Sequence, residues 1–137
     1  MMDSPDQTQA NRPSLACSTI VYRAFLNRNH INKHTKAILA GAFLLRPRDE
    51  ADGLSVTLAS SCSAEEFSNT FNDCFGVATL HVGRIRDMGL DVEPDEDPAW
   101  PDHAFITGLP LPHENAALAE RIAGKLARHA RRVLPVD

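Results

Sequence analysis

The sequence predicts an α+β domain, a largely antiparallel sheet of about five strands packed by one short helix and an amphipathic C-terminal helix. Three observations carry this. β-branched and aromatic segments recur between clusters of Gly, Pro, Asp and Asn. A capping box opens a helix in mid-chain. The last stretch of roughly twenty residues repeats its apolar positions with a helical period.

Residues 1–16 are rich in Asp, Ser, Pro, Gln and Asn and bury too little apolar surface to offset ordering entropy. They are expected to form a disordered tail ahead of a single domain over 17–137, which suits a chain of 137 residues. Ser18 to Leu26 (STIVYRAFL) is the first strand candidate. Its alternation puts Thr19, Val21, Arg23 and Phe25 on one face and Ile20, Tyr22, Ala24 and Leu26 on the other, so Arg23 falls among apolar neighbours. A polar loop over 27–36 holds His30 and His34. The apolar run from Ala37 to Leu45 closes at Arg46-Pro47, which favours a strand over its second half. With PRDEADG (47–53) as a turn and LSVTL (54–58) alternating, a hairpin between 42–46 and 54–58 is expected.

Ser63-Ala64-Glu65-Glu66 is the capping box of a helix over 64–73, with Phe67 and Phe71 as its buried stripe. FGVATLHV (75–82) reads as a strand, GRIRDMG as a turn and LDV as a short strand. An acidic loop, EPDEDPAWPD (93–102), leads to the strand HAFITG (103–108). In the C-terminal helix Leu118, Ala119, Ile122, Ala123, Leu126, Ala130 and Val133 share one half of the wheel. Arg121, Lys125, Arg128 and Arg132 cluster opposite them.

Charge is sorted along the chain. Met1 to Arg48 carries seven bases against two acids, Asp49 to Glu120 fifteen acids against two bases, and Arg121 to Asp137 five bases against one acid; the overall charge is only −4. The start lacks a basic n-region followed by an apolar run, and no stretch reaches the roughly 18 apolar residues of a membrane span. The chain therefore reads as cytoplasmic, with no membrane association. Three cysteines without CxxC spacing indicate neither a disulfide framework nor a zinc site. No metal or cofactor is expected.

The acidic loop sets Asp91, Glu93, Asp95, Asp97 and Asp102 in an EF-hand frame, but Glu96 stands where the frame needs glycine, and Pro94 and Pro98 stiffen it. A helix-turn-helix over Phe67 to Met88 would use Gly76 at the turn and point Arg84 and Arg86 at DNA. Asn72 and Gly83 oppose it, and so does the acidic block around it, which repels phosphate. Nucleic acid is therefore disfavoured as a partner. The expected role is a non-catalytic protein-binding or accessory module. It would act through the basic helix face (Arg121, Lys125, Arg128, Arg132) and the acidic loop (Asp95, Glu96, Asp97).

The alternative is a small nucleotide-handling enzyme that gathers Arg23, His81, His103 and a carboxylate such as Glu65 across the fold. An arginine in the first strand, a serine-bearing strand (Ser55) and a later glutamate resemble the arginine, serine and glutamate arrangement of ADP-ribosyltransferase-like folds. The resemblance implies an arginine that binds dinucleotide phosphates and a glutamate that orients a ribose. This reading requires Arg23 and at least one of the two histidines to line a common pocket, and finding them on opposite faces of the sheet would sink it.

Overall fold

In the computed structural model, which describes residues 14–135, the first strand candidate is a central strand, β1 (Ile20–Phe25). The expected tail lies outside the described residues apart from 14–16. Alternation gives β1 two working faces. Val21 and Phe25 enter the main core, whereas Tyr22 and Ala24 enter a second apolar cluster with Phe67 and Val77. A strand apolar on both faces must lie inside a sheet with layers on either side.

The sheet is antiparallel throughout and has six strands: β2 (Leu54–Leu58), β3 (Gly76–His81), β4 (Asp91–Pro94), β5 (His103–Thr107) and β6 (Arg131–Leu134) join β1 in the order β4-β5-β2-β1-β3-β6. Helix α1 (Ala64–Ser68) covers part of one face. The other face is covered by α3 (Ala116–His129), by the short helix α2 (Val82–Asp87) and by a 3-10 turn at Ala40–Phe43. Phe25, Phe43, Leu54, Ile85, Ile106 and Leu126 are almost fully buried there.

The expected α+β class holds, with one strand more than the sequence suggests. That strand comes from the end of the C-terminal helix. α3 is capped by the Asn115 side chain, which accepts from the Leu118 amide, and stops after fourteen residues because Ala130 turns extended. Arg131–Leu134 then pairs with the outer edge of β3, and Val133 and Leu134 pack on the second cluster. Ladder bonds and apolar contact outweigh the helical period in this segment, so Arg132 leaves the basic helix face.

The expected hairpin between 42–46 and 54–58 does not form. β2 is flanked by β5 and β1, and the run before Pro47 tightens into the 3-10 turn that packs beneath α3. Gly53 permits the turn into β2. It has φ +113, and a Cβ there would lie 2.5 Å from the Ile106 carbonyl oxygen. The segment GRIRDMG is mostly helical, because Val82 and Ile85 both reach the core from α2. Gly76–His81 is a strand paired on both edges, so the chain has no helix-turn-helix over 67–88.

The capping box forms as expected: Ser63 Oγ accepts from the Glu66 amide at 3.1 Å, and Glu66 Oε1 accepts from the Ser63 amide at 2.8 Å. The helix it opens is only five residues long, against the expected ten. At about 1.5 Å per residue it spans roughly 8 Å, too little to cover six strands set about 4.8 Å apart. Over β2 and β5 that face is left only half-buried at Ser55, Thr57, His103, Phe105 and Thr107.

Candidate active site

The uncovered part of the sheet forms a cavity of about 670 Å³, within the range of small-molecule sites. Its geometry begins with a parting of strands. β1 and β2 are paired only at Val21↔Leu58 and Tyr22↔Thr57, and beyond that point the ladder ends. Arg23 is rooted on the face of the main core, the side opposite Thr57 and His103, but its guanidinium bonds into the gap. Nε donates to the Ala42 carbonyl at 3.1 Å and Nη1 to the Ser55 carbonyl at 2.9 Å. Arg23 and His103 therefore leave the sheet on opposite sides of the pleat and still line one cavity.

Arg23 is only 9% exposed, and neither of its bonds goes to a carboxylate. Desolvation, followed by repulsion from Arg46, lowers its pKa to about 10, with partial compensation from Asp49. It remains a cation at neutral pH. A guanidinium has five N–H donors in a planar fork, and two of them are committed to carbonyls. Arg46 also lines the cavity and is tied to Asp49 by a 2.9 Å ion pair.

The opposite end is acidic. Asp95 Oδ2 lies 2.8 Å from His103 Nδ1, and both groups line the cavity with Asp102. The antiparallel pairing of β4 and β5 creates this contact: the Asp95 amide donates to the His103 carbonyl where the loop leaves the hairpin. The His103 ring meets the Phe105 ring edge-on, with centroids 4.7 Å apart. With Nδ1 held by Asp95, Nε2 is the nitrogen left for the cavity. Phe67 and Phe71 of the α1 region, themselves in edge contact at 5.2 Å, form an apolar wall. Trp100 stands at the rim with 62% exposure.

Of the catalytic candidates named from sequence, Arg23 and His103 line this one cavity, but from opposite faces of the sheet, so the expectation of a common pocket is met and that of a common face is not. His81 does not join them; it is exposed beside a shallow depression with Cys17, Arg84 and Arg86. Glu65 is exposed on α1 and does not line the cavity. The acidic loop divides, with Asp95 at the cavity and Glu96 and Asp97 exposed on the outer side. Arg121, Lys125 and Arg128 are exposed on α3, whose buried side lies on the opposite face of the sheet. Half-buried Arg132 donates to the Pro135 carbonyl from β6.

The sequence reading missed Arg46, Thr57, Phe71 and Trp100 as cavity residues. Trp100 carried a signal, being the single tryptophan of the chain, set between prolines in a charged loop. Among the described residues no group of three or more His, Cys, Asp or Glu gathers to hold a metal. No helix among them is long and apolar enough to cross a membrane. Comparison with protein-family models, curated proteins and solved structures finds no match.

Proposed function

We propose that the protein binds a mononucleotide-like organic phosphate in the cavity between β1, β2, α1 and the acidic loop. The observation that carries this reading is the buried guanidinium of Arg23, which lines the cavity and has carbonyls as its only bonded partners among the described residues. A buried cation without a carboxylate of its own is costly, and an incoming phosphate supplies the missing charge through the free side of the fork. The other walls fit the rest of such a ligand. Phe67, Phe71 and Trp100 offer apolar and stacking surface to a base. Asp95 and Asp102 accept from hydroxyl or amino groups at the far end.

Trp100 is the only tryptophan, so its fluorescence reports ligand entry directly. Titration with a panel of nucleoside monophosphates is expected to change Trp100 emission saturably. Thr70→Phe, which adds bulk at an exposed cavity-lining position, should abolish the response without loss of the circular dichroism spectrum. No saturable response from any nucleotide would refute the reading.

The basic face of α3 supports a second reading, a protein-binding surface. Arg121, Lys125 and Arg128 are exposed there and make no ion pair among the described residues. The partner that fits is a protein with an acidic surface.

A further inference from the structure

We infer that His103 is a general base, positioned by Asp95, that hydrolyses a phosphodiester whose phosphoryl group is held by Arg23. This deepens the proposed reading of the cavity and rests on it. Binding alone does not require a carboxylate behind a histidine, yet the Asp95–His103 contact of 2.8 Å has the form that orients catalytic imidazoles. Asp95 accepts from Nδ1–H, which fixes the tautomer and leaves the Nε2 lone pair as the proton acceptor. The resulting imidazolium would be stabilised by the same carboxylate. The edge contact with Phe105 holds the ring plane.

The positions also fit. His103 faces Thr57 directly across the β2–β5 ladder, and Arg23 grips β2 at Ser55, two residues away. Both side chains line the one cavity, whose volume of about 670 Å³ accommodates a phosphoryl group and an attacking water. In the reaction, water gives a proton to Nε2 as its oxygen bonds to phosphorus. The bond from phosphorus to the leaving oxygen breaks, and that oxygen takes the proton back from the imidazolium. One diester and one water become a monoester and an alcohol, with no oxidant, reductant or metal in the balance. Arg23, and Arg46 beside it, would meet the charge that builds on the non-bridging oxygens.

The probe is a 2′,3′-cyclic mononucleotide, with binding read by Trp100 fluorescence and turnover by chromatography of the monoester product. The wild-type protein should bind and hydrolyse it. His103→Ala should lower kcat about 100-fold or more, the usual loss for a general base, and added imidazole should restore part of it. Asp95→Asn should lower kcat with little change in KM, as expected of a positioning residue. Binding without turnover, or turnover equal in wild type and His103→Ala, would overturn the general base and leave the binding reading intact. Absence of binding would overturn both. Should His103→Ala fail to fold, His103→Gln provides the same comparison, and full activity in that variant would equally defeat the inference.

Discussion

Arg23 and Asp49 lie close enough to influence one another, and they meet burial in opposite ways. Arg23 loses hydration and is answered by two carbonyls, so its charge is held at a cost. Burial alone would push the Asp49 carboxyl up. It is outweighed by hydrogen bonds from the Arg46 side chain and backbone and by the charges of Arg46 and Arg23, so its pKa falls below the usual carboxylate value. A depressed folded pKa means stabilisation that is complete above the unfolded carboxylate value and fades as pH falls through the folded one. Asp49→Asn is therefore expected to cost about 1 kcal/mol near pH 7, a modest figure because Arg46 is half-exposed. The gap between variant and wild type should narrow in urea unfolding as pH falls below the ordinary carboxylate value of 3.8 and through the lower folded one. A gap that persists at acid pH would mean that packing, not charge, is what Asp49 contributes. At this scale Arg23 was legible in the sequence, because strand alternation alone places it among apolar residues. The Asp95–His103 pair was not, since it depends on how the β4–β5 hairpin brings together two residues eight positions apart.

Helix α1 shows how little local structure supports a cavity wall. Five residues make a helix too short to persist by propagation alone, so its end groups matter more than usual. Ser63→Ala removes the acceptor for the Glu66 amide and should lower stability by about 1 kcal/mol in chemical denaturation. Because Phe67 and Phe71 hang from this turn, the same variant should also weaken the Trp100 response to nucleotide. Unchanged stability would show that the stack of Tyr22 on Phe67, with centroids 5.5 Å apart, holds the helix without its cap. The capping box was readable because it is a local pattern with a local cause. Segment 42–46 and the end of α3 were misread for the converse reason. Their apolar content permits either conformation, and the choice is made by distant partners: the underside of α3 in one case, the free edge of β3 in the other. α2 was hidden by Gly83 and Gly89, which imitate a turn while Val82 and Ile85 keep a helical spacing.

Across the whole molecule, the charge sorting of the sequence resolves into two surfaces with the sheet between them. The acidic loop turns toward the cavity through Asp95 and caps the end of β2, where the Asp102 carbonyl accepts from the Leu58 amide. The basic residues of α3 sit on the far layer, and their own helix does not compensate them. Arg121 and Lys125 are four residues apart, Lys125 and Arg128 three, and no acid lies three or four positions from any of the three within the helix. Like charges at these spacings each cost a few tenths of a kcal/mol. Lys125→Glu converts two repulsive pairs into attractive ones and should raise unfolding stability by about 0.5–1 kcal/mol at low salt, with less gain at 0.5 M salt. The nucleotide response of Trp100 should not change, because α3 packs on the face of the sheet opposite the cavity and its exposed charges are screened by solvent. A stability gain without any effect on the cavity would mean that the basic face is maintained against the interest of the fold and independently of the ligand site, as expected of a docking surface for an acidic partner. No gain would place a compensating charge near Lys125 and remove the reason to assign that face a partner.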